Sequence, residues 1–274
     1  MKETISSSTG RRSAILQILK QNSNISVTEL SKKFGVSEVT IRKDLNLLNE
    51  RNLLVRTRGG AILHETRKDD NDTSIRFKKL ANFREKQAIG RAAANLIKEG
   101  DTIIIDSGTT ALQVACNLHR FRNLTIITNA LNVAQEVLAY KRFNVILLGG
   151  NIRNASESVV GALAESNLKM FYCDKLFLGV DSFSIDNGLS TPNVEEANIN
   201  QIMISRSREV IAVFDSSKVN KRALAFITTL DKIDRIVTDD SMDKTMVFLN
   251  YTIGGCFFHC PFLTERFRNS IGMF

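Results

Sequence analysis

Four polar tips end β-branched runs in the second part of this chain. Asp106-Ser107-Gly108-Thr109-Thr110 follows the run TIII and opens a helical pattern, so backbone amides, hydroxyls and the positive end of a helix converge on one point. That is the chemistry of an anion cradle. Thr128-Asn129 and Gly149-Gly150 end the next two runs, and Asp215-Ser216-Ser217-Lys218 follows Val210 to Phe214 with a Lys able to neutralise a phosphate. Gly and Ser at one tip are ordinary turn chemistry. Their recurrence at successive tips points to a site for a phosphorylated small molecule. The three histidines, His64, His119 and His259, fall elsewhere, so the usual neutral-pH proton carrier is missing from these tips. Binding without turnover is expected, with no cofactor.

A second group of residues suits contact with a polyanion. Ser37 is a good N-cap for a helix in which Ile41, Leu45 and Leu48 face inward. Val39, Thr40, Arg42, Lys43 and Asn46 then point outward. Short polar side chains near a helix start, with Arg and Lys behind them, suit base edges and flanking phosphates in the major groove of double-stranded DNA. Thr40 and Arg42 are the expected base readers. Arg56 and Arg58 sit beside a Gly59-Gly60 turn, from which they would reach phosphates or the minor groove. Residues 1–60 carry 11 Lys and Arg against 5 Asp and Glu, most of the chain's net +8, and charge concentrated in one small region is an electrostatic footprint for nucleic acid.

The elements that must position these groups follow from spacing. Ser26-Val27-Thr28-Glu29 has capping-box spacing, which predicts a helix from about Val27 with Leu30 and Phe34 on one stripe and Gly35 ending it. Ile15, Leu16 and Leu19 give an earlier helix its apolar stripe, completing a three-helix core. Leu53 to Val55 and Ala61 to Leu63 read as two wing strands. From Arg84 the pattern alternates: helix 84–98, strand 102–106, helix 109–118, strand 124–128, helix 130–139, strand 143–148. Further strands are expected at Lys175 to Val180, Val210 to Phe214 and Arg235 to Thr238. Such βαβ alternation implies an α/β fold with a mostly parallel sheet and ligands outside its strands' carboxyl ends.

To about Asp240 the chain resembles the DeoR family of bacterial sugar-metabolism repressors. The resemblance rests on VSEVTIRKDLNLL, RTRGGA, DSGTT, TN, GGNIR, LFLGVDSFSIDNGLSTPNVEEA and DSSK in that order. It implies a winged helix-turn-helix at 1–63, a linker at 64–80 and a sensor at 81–240 similar to ribose-5-phosphate isomerase and glucosamine-6-phosphate deaminase. Leu176 to Met203, with GGNIR, looks most like repressors of N-acetylgalactosamine and related amino-sugar operons. The resemblance implies a phosphorylated sugar effector, an amino-sugar or tagatose phosphate among the candidates. Its phosphate would sit at Ser107, Gly108, Thr109 and Thr110 with Lys218 nearby, and Asp106 would also contact the effector. Asn129, Gly149, Gly150, Arg153, Asp181 and Glu195 or Glu196 would line the sugar side. The expected mechanism has heads on a homo-oligomer grip an operator until sugar phosphate favours an arrangement that releases it. An isomerase- or deaminase-like enzyme is the alternative, because carboxylates and Lys218 could move a proton; an active isomerase, however, would not need a basic reading head.

Composition bounds the rest. A chain of 274 residues with 43% hydrophobic and 24% charged residues suits two domains with real cores. It holds no run of 18 apolar residues, and its first thirty residues lack a signal peptide's apolar block, so a cytoplasmic protein without a membrane partner is expected. The stretch 241–274 departs from the family pattern and shows no clean helix or strand ending, which would leave a sheet edge uncovered. Cys256, His259 and Cys260 crowd together there without a second cluster, short of a structural zinc site. No metal is expected.

Overall fold

The computed structural model describes residues 8–22, 24–51, 53–57, 59–63, 75–242 and 257–259. The chain divides into two compact units, residues 1–84 and 85–274.

In the first unit, helices α1 (Ser8–Asn22), α2 (Val27–Phe34) and α3 (Glu38–Glu50) enclose Ile15, Leu16, Leu19, Leu30, Ile41, Leu45 and Leu48, all fully buried. The capping box is present: the Glu29 amide donates to Ser26 Oγ at 3.2 Å and the Ser26 amide to Glu29 Oε2 at 2.9 Å. Gly35 ends α2 at φ 64°, a left-handed conformation that suits glycine. Strands β1 (Asn24–Ser26), β2 (Leu54–Arg56) and β3 (Gly60–Leu63) form an antiparallel sheet with β3 central. The wing thus has three strands rather than two, because β1 joins it. Gly60 permits this, since a Cβ there would lie 2.0 Å from the Ile25 carbonyl oxygen. Helix α4 (Ile75–Leu80) lies in the stretch read as linker, and its buried Leu80 joins this core.

Helix α5 (Phe83–Ala94) straddles the division, and the second unit continues with β4 (Thr102–Ile105), α6 (Thr109–Ala115), β5 (Thr125–Thr128), α7 (Leu131–Leu138) and β6 (Asn144–Leu147). A hairpin of β7 (Asn151–Arg153) and β8 (Ser158–Val160) and helix α8 (Ala162–Leu168) come next. Then follow β9 (Cys173–Gly179), β10 (Ser182–Ser184), β11 (Gly188–Thr191), α9 (Val194–Ser205) and β12 (Ser207–Val213). A short 3-10 turn (Ser216–Lys218), β13 (Ala225–Thr228), β14 (Arg235–Val237) and β15 (Phe257–His259) complete it. Seven strands form one parallel sheet in the order β15-β14-β12-β9-β4-β5-β6. Alternation along each strand divides the core: Ile104, Ile127, Leu176 and Ala212 pack on one face, Ile103, Ile126, Phe177 and Ile211 on the other.

One expectation is corrected here. The tail was expected to supply no final strand, yet β15 pairs in parallel with β14, Ile236 opposite Phe258. Two consecutive phenylalanines favour an extended chain, and β14 offers them unpaired backbone groups. The sheet edge beyond β14 is therefore covered.

Candidate functional site

In the first unit, α3 turns its expected reading face outward. Val39 is 58% exposed, and Arg42, Lys43 and Asn46 are exposed beside it. Ser37 Oγ accepts from the Thr40 amide at 3.2 Å and lies 3.0 Å from Thr40 Oγ1, so the cap holds one expected base reader in place. Arg42 Nη2 lies 2.6 Å from Glu38 Oε2, an exposed pair that costs little to exchange for a base or a phosphate. Arg56 donates to the Arg42 carbonyl at 3.4 Å, joining wing and helix on one surface. Arg58 lies outside the described residues.

Sequence reasoning misses what anchors this face. Asp44 sits in the middle of α3 yet is 6% exposed, its carboxylate 2.6 Å from Arg11 Nε and 3.3 Å from Arg12 Nε of α1. Its place, three residues after Ile41 and one before Leu45, is the available signal.

In the second unit, the expected residues collect outside the carboxyl ends of the strands. Asp106 leaves β4 buried and accepts from the Gly179 amide of β9 at 3.1 Å. The two strands approach so closely that a Cβ on Gly179 would lie 2.6 Å from the Ser107 carbonyl. Gly108 follows at φ 108° with open space where a Cβ would be, and Thr109 and Thr110 are buried behind it. Asn129, at the end of β5, is 1% exposed and donates to the Val159 carbonyl at 3.3 Å.

Glu196 of α9 gathers the sugar side. Its Oε1 takes Arg153 Nη1 at 3.2 Å and Ser158 Oγ at 3.4 Å, and its Oε2 accepts from Thr191 Oγ1 at 3.3 Å. The Thr191 hydroxyl also lies 3.3 Å from Asp181 Oδ2, and Lys218 Nζ is 3.6 Å from Asp181 Oδ1. Arg153, Glu196, Asp181 and Lys218 thus form one linked polar cluster. Of the two adjacent glutamates, Glu196 is buried within it while Glu195 is exposed near Gly161. Gly149 and Gly150 are both exposed; a Cβ on Gly150 would meet the Val160 carbonyl at 2.8 Å, and the Gly149 amide donates to Asn167 Oδ1 at 3.2 Å. Ser158 and Thr191 are the additions that sequence reasoning does not find.

Comparison with known proteins decides the family. The DeoR-like helix-turn-helix domain matches residues 11–67 and the DeoR C terminal sensor domain residues 81–240. The chain belongs to the DeoR family. It is 34% identical over 241 residues to a putative aga operon transcriptional repressor of Escherichia coli O157:H7, covering 88% of this chain and 90% of that protein. It is also 34% identical to the glycerol-3-phosphate regulon repressor of Escherichia coli K12, covering 84% of this chain and 90% of that one. Such relatives make it a regulator rather than an enzyme. A looser likeness, to ribose 5-phosphate isomerase A of Methanocaldococcus jannaschii, has 16% identity and a TM-score of 0.39 over 52% of this chain and 56% of that one, and carries no chemistry over.

In this DeoR-family sensor two buried acceptors, Asp106 Oδ1 and Asn129 Oδ1, have no hydrogen-bond partner among the described residues. Buried acceptors normally find donors, so a ligand with hydroxyl or ammonium groups suits these two. Burial pushes the Asp106 carboxyl up to about 7, and the charge of Glu196 adds to this against the nearby Ser107 amide, the hydrogen-bonded Gly179 amide and the nearby Asn200 side chain. His119 lies beyond the far end of α6, where its carbonyl accepts from Arg142. Among the described residues, no three His, Cys, Asp or Glu side chains are grouped to hold a metal. Cys256 and Cys260 lie outside the described residues, as does the side chain of His259.

The reading face makes a testable claim. Replacing Arg42 with Ala should weaken binding to the preferred DNA sequence by about 1 to 3 kcal/mol if the guanidinium reads a base. An equal loss on random DNA, measured by fluorescence anisotropy, would reassign it to a phosphate.

Proposed function

We propose that this chain is a sequence-specific repressor of a sugar or amino-sugar catabolic operon that acts in the cytoplasm as a homo-oligomer and leaves its operator when a phosphorylated sugar binds the sensor. The observation that carries the effector assignment is the pair of unpartnered buried acceptors beside a mixed-charge cluster at the sheet's carboxyl edge. In this reading Ser107, Gly108, Thr109, Thr110 and Lys218 receive the phosphate. Asp106, Asn129, Arg153, Asp181 and Glu196 hold the sugar hydroxyls or amine, with Gly149, Gly150 and Glu195 at the rim. The phosphate's charge would draw Lys218 from Asp181, and ring hydroxyls would satisfy Asp106 and Asn129.

The DNA half of the reading draws on Ser37, Val39, Thr40, Arg42, Lys43, Asn46 and Arg56 on one outward surface, with Arg58 from the wing turn. No helix among the described residues is long and apolar enough to cross a membrane. The decisive experiment titrates sugar phosphates into the protein bound to labelled operator DNA while thermal melting of the free protein is followed in parallel. Tighter DNA binding on addition of the effector would refute induction.

A further inference from the structure

Outside the sugar-phosphate cluster, one buried ion pair ties its edge to the start of α5. Lys86 is 3% exposed, and its Nζ lies 3.0 Å from Asp215 Oδ2, the carboxylate that opens the Asp215-Ser216-Ser217-Lys218 turn. Asp215 Oδ1 also accepts from the Ser217 amide at 3.2 Å, and Asp239 accepts from the Ser216 amide at 2.7 Å, so the turn is held as one piece. From Lys218 the polar chain continues through Asp181 to Thr191 and Glu196. On the other side of Lys86, the backbone runs directly to the DNA-binding unit. Leu80 is buried in that unit's core, and the Asn82 side chain accepts from Gln17 of α1 at 2.8 Å. Only a short stretch of backbone separates these anchors from Lys86.

Burying a Lys and an Asp is expensive unless they stay paired, and a well-packed apolar pair would serve stability as well. What the ion pair adds is attachment: the turn cannot shift without carrying α5. We propose that Lys86 is the positioning residue through which occupancy of the sensor changes the affinity of the DNA-binding unit. Lys86 itself touches neither ligand. The inference rests on the effector site proposed above, but its test separates the two. By reciprocity, whatever effector binding does to DNA affinity, DNA binding must do to the effector site, so DNA alone can report the link.

The experiment uses the full chain as wild type, Lys86→Met with Asp215→Asn, which removes both charges together, and Lys86→Arg. The DNA is a fragment selected by the wild type from a random-sequence pool. In the wild type, adding DNA should change amide hydrogen exchange in residues 214–219. In the double variant that change should vanish while DNA affinity stays within about threefold, and Lys86→Arg should retain it. With whichever of N-acetylgalactosamine-6-phosphate, tagatose-6-phosphate, glucosamine-6-phosphate and ribose-5-phosphate raises the melting temperature, the double variant should keep the melting shift. Its loss of DNA affinity on ligand addition should shrink from roughly 5- to 150-fold to under about twofold. Wild-type exchange at 214–219 that ignores DNA overturns the proposal, and so does a folded double variant that transmits like the wild type. If no sugar phosphate shifts melting, the effector reading fails while the DNA-alone arm still decides the role of Lys86.

Discussion

Replacing Asp44 with Ala should cost the DNA-binding unit about 3 to 5 kcal/mol, the usual penalty for leaving one member of a buried ion pair without its partner. Asp44 holds Arg11 and Arg12 of α1, and the Arg11 side chain is only 9% exposed. Without the carboxylate, a guanidinium remains in the seam between α1 and α3, and the recognition helix loses its support. A small unit of this kind has stability of the same order as the penalty. The expected outcome is loss of specific DNA binding and an early melting transition, with the sensor's own transition unmoved. A companion variant, Arg11→Met with Asp44→Leu, should recover most of the loss, because it removes the carboxylate together with its more buried partner, while Arg12 keeps its hydrogen bonds to Ser8. A single unchanged transition in Asp44→Ala would show that the pair is a bystander.

The second large effect concerns pH. Asp106 titrates near 7 in the folded protein, above its ordinary value of 3.8, so between those values the folded chain keeps a proton that the unfolded chain has lost. Stability should therefore fall as pH rises through that window and level off above it, by roughly 4 kcal/mol in all from this one group. Asp106→Asn should abolish that slope and make the sensor more stable than wild type at pH 8, with little difference at pH 4. A ligand that donates hydrogen bonds to Asp106 Oδ1 favours the charged form, so sugar-phosphate affinity should rise more steeply between pH 6 and pH 8 in the wild type than in the variant, which keeps only the rise from the phosphate's own ionisation near pH 6. Parallel melting curves for the two proteins across pH would remove Asp106 from this role.

How much of this was legible in the sequence differs from element to element. The capping box at Ser26 and Glu29, the left-handed Gly35 and the Ser37 cap are local signals, and all three stand where spacing puts them. The parallel sheet was equally readable, since β4, β5 and β6 are short apolar runs ending in polar tips. What escaped depends on partners far along the chain. Asp44 resembles any exposed acid on a helix until Arg11 is placed against it. Glu196 could not be told from Glu195 by type or charge, and burial of one against Arg153, Ser158 and Thr191 separates them. The β7–β8 hairpin lacks a two-residue turn signature, so Ser158 stayed hidden. Helix α9 buries Ala197, Ile199, Asn200 and Met203 on several sides, which blurs the single apolar stripe that helix reading relies on. Strand β15 has Gly254-Gly255 before it and Pro261 after it, but three residues are too short a run to show a strand's alternation.

The measurement that bears most directly on the assignment is sugar-phosphate titration of the operator complex, with melting of the free protein recorded for the same compounds. One phosphorylated sugar should raise the melting temperature, since a ligand at 100 times its dissociation constant adds about 2.7 kcal/mol to a native state. The same sugar should release labelled operator, and its unphosphorylated form should do neither. Operator binding that every sugar phosphate leaves unchanged, or conversion of the sugar at ordinary enzymatic rates, would contradict the assignment of this chain as a sugar-phosphate-released repressor.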